Sequence, residues 1–150
     1  MLPCALRLEG KPVLVVGGGQ VAQRRVASLL AAGACVQLVA PEVSAELASW
    51  AGQGKLLWRQ REFEPGDVIG CWLVLAHTSQ AAVNQQVARL CQQRQIWCLQ
   101  GGNAADSDVW LLAHEKIADD LLIAVTAFGR PQRAQQLLRY LSKQAGQKYV

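Results

Sequence analysis

The residues with the clearest chemical content are Val13-Leu14-Val15-Val16-Gly17-Gly18-Gly19-Gln20-Val21-Ala22. Gly17, Gly19 and Ala22 satisfy the pattern G-x-G-x-x-G/A where an apolar run meets a helical period. Such a turn suits the pyrophosphate of a dinucleotide. The first glycine permits the tight turn, the second lets phosphate approach the backbone, and the alanine lets the helix lie close to the strand. The free N–H groups and positive dipole end of the helix then hold the phosphates. Gly17, Gly18, Gly19, Gln20, Val21 and Ala22 are therefore the expected cofactor loop, with a purely structural glycine turn as the alternative. The acid that would bind a ribose hydroxyl at the end of the second strand is missing, since that place reads Val39-Ala40-Pro41 with Glu42 just beyond. A preference for NAD over NADP thus has only weak support. Glu42 is either a ribose ligand or an exposed carboxylate at a helix entry.

A second stretch, Ile96 to Asp108, reads IWCLQGGNAADSD. If its apolar start is the last strand of an open α/β sheet, its carboxyl end is where a ligand sits. Gly101-Gly102 offers neither acid nor base there. The nearest titratable groups are Asp106 and Asp108, together with His77 at the carboxyl end of the preceding strand. These three are the candidate proton-handling residues, and a loop histidine without a catalytic task is the alternative for His77. The five cysteines, Cys4, Cys35, Cys71, Cys91 and Cys98, form no CxxC pair. Cys35, Cys71 and Cys98 lie in apolar runs and are expected to pack as small hydrophobes. His77 and His114 lack neighbouring ligands, so no metal site is expected.

These groups need elements to hold them. Residues 12–18, 35–41, 55–61, 71–77 and 96–100 read as strands, the first a β-branched run of the kind buried on both faces. Helical periods fill 19–33, with Val21, Ala22, Val26, Leu29 and Leu30 on one stripe, and 78–95, with Val83, Val87, Leu90 and Cys91 inward. A short helix over 44–52 has Ser44 as its N-cap. Residues 62–67 form an acidic loop. Strands alternating with crossover helices predict a Rossmann-like, doubly wound parallel α/β sheet. The rhythm then breaks: 109–113 and 121–127 read as a strand pair joined by a polar segment. Residues 131–146 follow as an amphipathic helix carrying Ala134, Leu137, Leu138, Leu141 and Ala145 on one face. The expected division is a dinucleotide-binding domain over 1–108 and a short extension over 109–150. A strand pair plus a helix buries little by itself, so a second copy is the expected cover.

With 51% hydrophobic and 17% charged residues in 150, the chain has the composition of a folded domain. No apolar stretch reaches bilayer length and the start lacks the form of a secretory signal, so a soluble cytoplasmic protein without a membrane partner is expected. The net charge of +4 is uneven. From Gly129 onward there are Arg130, Arg133, Arg139, Lys143 and Lys148 and no acid. That run suits a polycarboxylate or phosphate, or is a solvated helix face. Without an aromatic platform or recognition motif, nucleic acid is not an expected partner.

Taken together, LEGKPVLVVGGGQVAQRR, the V-A-P closing the second strand, REFEPGD and VLAHTSQAAVNQQVA resemble the NAD-binding domain of siroheme synthase, a group that includes precorrin-2 dehydrogenases. The corresponding family segments are V-A-x-R-K/R, R-x-F/Y-x-P-x-D and V-I-A-A-T-[DN]-x-x-x-V-N. The resemblance implies an NAD⁺-dependent oxidation of precorrin-2 to sirohydrochlorin in siroheme synthesis, by a homodimer joined through its carboxyl-terminal extension. It extends the cofactor set to Ala40, Pro41 and Thr78, and places Thr126, Arg130 and Arg133 on the side of a tetrapyrrole polycarboxylate. Two segments depart from it. The family's N-x-V-D reads Leu99-Gln100-Gly101-Gly102, with Gly102 at the position of an aspartate implicated in dehydrogenation and in iron insertion. Its S-[ST]-G-G-x-S-P reads Thr126-Ala127-Phe128-Gly129-Arg130-Pro131-Gln132. Iron insertion is therefore not expected. A catalytically impaired NAD(H)- or tetrapyrrole-binding carrier of the same family is the alternative to a dehydrogenase.

Overall fold

The structure is a computed structural model that describes residues 2–103 and 106–149, with side chains through Gly146. The chain divides into two compact units, Met1–Val109 and Trp110–Val150.

The first unit is built on β1 (Pro12–Val16), α1 (Gln20–Ala31), β2 (Cys35–Val39), α2 (Ala45–Gly52), β3 (Leu57–Arg59), β4 (Leu73–Ala76), α3 (Ala81–Gln93) and β5 (Trp97–Gln100). All five strands are parallel, in the order β3-β2-β1-β4-β5. The sheet is therefore doubly wound, with its order reversing beside β1, where such sheets bind ligands. Val13, Leu14 and Val15 have no exposed surface, which is the burial that a central strand with both faces covered requires. Leu14, Val16, Val39, Val74, Ala76 and Cys98 form one core with Val87 and Cys91 of α3.

Helix α1 buries Ala22, Val26 and Leu29. Val21, expected on that stripe, is 43% exposed, because the buried row runs i, i+4, i+7 and turns its neighbour outward. Helix α3 buries Val87 and Cys91 together with an unforeseen Asn84. The Asn84 amide accepts from the Thr78 N–H at 2.9 Å and donates to the Thr78 carbonyl at 3.0 Å, fastening the loop that leads into α3. Cys71 and Cys98 are buried as expected, but Cys35 is exposed, since it opens β2 at the edge of the sheet opposite the glycine turn.

The acidic segment before β4 is not an open loop. Pro65–Val68 forms a 3₁₀ turn, and Asp67 is buried beneath it. Its carboxylate receives Arg59 at 2.7 Å, Arg61 through two nitrogens at 2.7 and 2.8 Å, and the Glu64 N–H at 2.9 Å. These partners hold the Asp67 pKa down at about 2, with the Arg61 hydrogen bonds as the largest cause.

In the second unit, β6 (Ala113–Ala118) and β7 (Leu121–Val125) pair antiparallel and α4 (Pro131–Tyr149) follows. The first strand is not the apolar 109–113 but the polar segment after it. Asp119-Asp120 makes the tight connection, with Lys116 bridged to Asp119 at 2.9 Å, so register is set by the turn and not by hydrophobicity. On α4 Ala134 and Leu138 are buried, whereas Leu137 is 47% and Tyr140 62% exposed. A two-stranded sheet covers one i, i+4 row of a helix, not the wider face expected here. No helix among the described residues is long and apolar enough to cross a membrane.

Candidate functional site

Three loops converge at the carboxyl ends of β1, β4 and β5. Gly17 has φ +111°, and a Cβ there would lie 2.4 Å from the His77 carbonyl oxygen. Its N–H donates to the Val39 carbonyl at 3.0 Å, while the His77 N–H donates to the Val16 carbonyl at 2.8 Å. Gly18 is closed on its other side by Glu42 and Val43, and a methyl group at that position would stand only 2.1 Å from the Glu42 carbonyl oxygen. The Ser44 N–H donates to the Gly18 carbonyl at 3.0 Å, and the Ser44 hydroxyl caps α2 and donates to Gln23 Oε1 at 2.6 Å. Gln23 in turn donates to Glu46. The turn is thus held rigidly by backbone on two sides.

Gly19 differs. Nothing among the described residues lies within 4 Å of the place its Cβ would take. It is the N-cap of α1, with no side-chain cap bond and no acid in the first turn of the helix. The first-turn N–H groups are left for an outside acceptor, and backbone can approach backbone closely at Gly19. Gly17, Gly18, Gly19, Gln20, Val21 and Ala22 therefore fit a dinucleotide pyrophosphate. Ala22 is buried against the sheet, as the third position of the pattern requires. Ala40 is buried and its carbonyl accepts from Trp58 Nε1 at 2.9 Å, whereas Pro41 and Glu42 are exposed beside it. Thr78 uses its hydroxyl locally, donating to Asn84 at 2.8 Å or to the Gln80 carbonyl at 3.0 Å.

At β5 the paired glycine has a physical reason that the sequence does not display. A Cβ on Gly101 would lie 2.3 Å from His77 Nδ1, so the imidazole occupies the space an ordinary side chain would fill. Gly102 has φ +81° and open space around it. The backbone of His77 therefore abuts one glycine turn and its ring abuts the other. Burial, with the nearby positive charge of Arg25, lowers the His77 pKa to about 4. Its Nε2 is sealed from water without a hydrogen-bond partner among the described residues. Arg25, on α1, is half-buried and has no ion pair or hydrogen bond there. Burial and then Arg24 lower its pKa.

The two candidate aspartates are engaged elsewhere. Asp108 accepts from the Cys98 N–H at 3.1 Å and gives its own N–H to the Cys98 carbonyl at 2.9 Å, holding the chain after β5 against that strand. Asp106 is exposed and accepts from Asn103 at 2.5 Å. Thr126, Arg130 and Arg133 belong to the second unit. Thr126 accepts from the Phe128 N–H at 3.4 Å, and both arginines are exposed at the start of α4. Phe128 has φ +43°, a left-handed conformation uncommon for a bulky residue. Among the described residues no group of three or more His, Cys, Asp or Glu could hold a metal.

Residues 4–113 match the NAD(P)-binding family model NAD_binding_7. The chain belongs to this NAD(P)-binding family. Siroheme synthase 1 of Aeromonas hydrophila is 40% identical over 141 residues, which is 92% of this chain and 30% of that protein. Siroheme synthase 1 of Cronobacter sakazakii is 46% identical over 94 residues, 63% of this chain and 20% of the relative. The chain thus spans under a third of the curated relatives it matches. A solved structure described as SirC, precorrin-2 dehydrogenase, superposes with a TM-score of 0.82 at 28% identity, covering 96% of this chain and 71% of that one. The likeness therefore extends through the parallel sheet into the strand pair and carboxyl-terminal helix.

Sequence reasoning missed the contact between His77 and Gly101. The available signal lies in the family segments: V-I-A-A-T has alanine where this chain has His77, and N-x-V-D has valine where it has Gly101. A larger residue in one loop is matched by a smaller one in the next. Substituting Gly101→Ala should cost about 1–3 kcal/mol, since the methyl meets a ring that is itself packed. With His77→Ala in place the same methyl still stands 3.1 Å from the Ala76 carbonyl oxygen, so its cost should shrink to about 1 kcal/mol or less. Urea melts of the four proteins in this cycle measure the coupling. Equal costs of Gly101→Ala in both backgrounds would refute the contact.

Proposed function

We propose that this chain binds NAD⁺ and oxidises precorrin-2 to sirohydrochlorin, a step of siroheme synthesis, without inserting iron. The observation that carries this reading is the likeness over nearly the whole chain to a precorrin-2 dehydrogenase, with a glycine turn whose open N-cap suits a dinucleotide. The cofactor supplies the hydride acceptor. The protein's contribution is placement. Gly17 and Gly18 lock the turn, Gly19 to Ala22 present N–H groups to the phosphates, and Ala40, Pro41 and Thr78 border the same cleft. On the second unit Thr126, Arg130 and Arg133 are the proposed partners of the tetrapyrrole carboxylates, since exposed guanidinium groups pair such anions in bidentate fashion. Exposed Leu122, Leu137 and Tyr140 on that unit favour a homodimer, and the cytoplasm is the proposed location.

The test is direct. Purified protein incubated with precorrin-2 and NAD⁺ should produce sirohydrochlorin, followed by its absorbance, in step with NADH. A non-catalytic carrier that binds NAD(H) or a tetrapyrrole is the second reading. It is favoured by the absence of a side chain at Gly102 and by the structural engagement of Asp108. Binding of both ligands by calorimetry with no product would establish the carrier and remove the enzyme.

A further inference from the structure

We infer that the ring of Phe128 is a stacking platform for the face of the tetrapyrrole, set beside the arginines that take its carboxylates. The inference rests on the tetrapyrrole reading above and deepens it, adding a residue that decides which ligand fits.

Two features of Phe128 are costly in the free protein. Its φ of +43° is a left-handed conformation that bulky side chains rarely adopt. It is also 71% exposed, so an aromatic surface stands in water with little packing in return. Strained residues persist where their surroundings hold them, and they cluster at ligand sites. Here the surroundings do hold the residue. The Phe128 N–H donates to the Thr126 hydroxyl at 3.4 Å, and the Arg130 N–H donates to the Ala127 carbonyl at 3.1 Å. The Ala134 N–H then donates to the Arg130 carbonyl at 3.2 Å, tying the turn to the start of α4. In the family segment S-[ST]-G-G-x-S-P a glycine stands at this position, and glycine takes a positive φ without steric cost. This chain keeps a glycine's backbone and adds a benzyl group to it.

The neighbours of the ring say what covers it. Arg130 and Arg133 are exposed. Gly129, at φ +87°, leaves open space where a side chain would stand. No acid follows Asp120 in the sequence. A ligand seated on this turn meets an aromatic face, an open floor and two cations. It must therefore offer a flat apolar face with an anionic rim. A tetrapyrrole polycarboxylate has both, with pyrrole rings to stack on Phe128 and carboxylates to pair with the guanidinium groups. A small inorganic anion would use the arginines and leave the ring uncovered.

The experiment titrates sirohydrochlorin into wild-type protein, Phe128→Gly and Phe128→Tyr. Glycine accepts the left-handed backbone, so the melting temperature of Phe128→Gly should not fall. Its Kd for sirohydrochlorin should rise about tenfold or more, while Phe128→Tyr, which keeps a ring, should stay within about threefold of wild type. The Kd for NADH should be the same in all three. The chain has two phenylalanines, Phe63 and Phe128, so the signals lost in Phe128→Gly assign the Phe128 ring resonances. In wild-type protein these should shift on saturation with sirohydrochlorin, as protons stacked on a conjugated macrocycle do. An affinity within twofold of wild type in Phe128→Gly overturns the inference, and so do unmoved ring resonances. It is equally overturned if sedimentation shows Phe128→Gly losing affinity together with its oligomeric state, because the ring would then belong to a contact between copies. Wild-type protein that binds no tetrapyrrole defeats the tetrapyrrole reading and the inference together. Active Phe128→Gly with unchanged affinity leaves that reading standing and removes only the platform. Wild-type protein that shows the shift but makes no sirohydrochlorin from precorrin-2 supports the platform and removes only the oxidation.

Discussion

Gly17→Ala should destabilise the protein by about 2–6 kcal/mol and abolish NAD(H) binding, while Gly19→Ala should fold normally and lose only the binding. At Gly17 two costs add. The φ of +111° is one that L side chains rarely adopt, and strain of that kind costs on the order of 1–3 kcal/mol. The new methyl would also stand 2.4 Å from a carbonyl oxygen, and inserting a group into packed surroundings typically costs about 1–3 kcal/mol more. Relief by movement is blocked, since the Gly17 N–H is bound to Val39 and the His77 N–H to Val16. Gly19 has ordinary extended backbone and open space, so its methyl meets no protein atom. It meets whatever approaches the helix end instead. Thermal melts report the first difference and calorimetric titration with NADH the second. Wild-type affinity in Gly19→Ala would refute the glycine turn as the phosphate site, whatever Gly17→Ala does.

This contrast shows which parts of the site were legible in the sequence. Strand β1, the glycine turn and α1 were readable because their signals are local: a β-branched run, a spacing of glycines and a helical period. The same holds for Ser44, whose type at a helix entry announces its cap. What failed was information held across the fold. The apolar run 109–113 predicts the strand, but the turn at Asp119-Asp120 sets the pairing and draws β6 onto polar residues. Gly101 read as an empty position, because the imidazole that needs its emptiness comes from a different loop. Asn84 carries no sequence signal of its own, yet it is the buried clamp on Thr78. In each case the residue's own neighbours in sequence carry no trace of its partner.

Asp67 is the strongest case of this kind, and it carries the second large prediction. From sequence the segment EFEPGD is an acidic, turn-rich loop. In the fold its aspartate accepts four hydrogen bonds, three of them from two guanidinium groups. Removing one member of a buried charge network leaves the others uncompensated, so Asp67→Ala should lose about 3–5 kcal/mol. The partners moderate this, because Arg59 and Arg61 keep 38% and 35% of their side-chain surface in water and can rehydrate. The lower end of the range is therefore expected. Acid should reproduce part of the effect without mutation. The Asp67 pKa falls from 3.8 to about 2 on folding. A carboxylate with a lowered folded-state pKa stabilises fully above its unfolded value and stops doing so below the folded one. That difference corresponds to about 2 kcal/mol, present above pH 4 and lost as the pH falls towards 2. Urea midpoints of wild-type protein at pH 6 and pH 2 should differ by more than those of Asp67→Asn, whose amide has no proton to gain. Parallel pH dependences for the two proteins would show that Asp67 is not the group whose protonation loosens the fold.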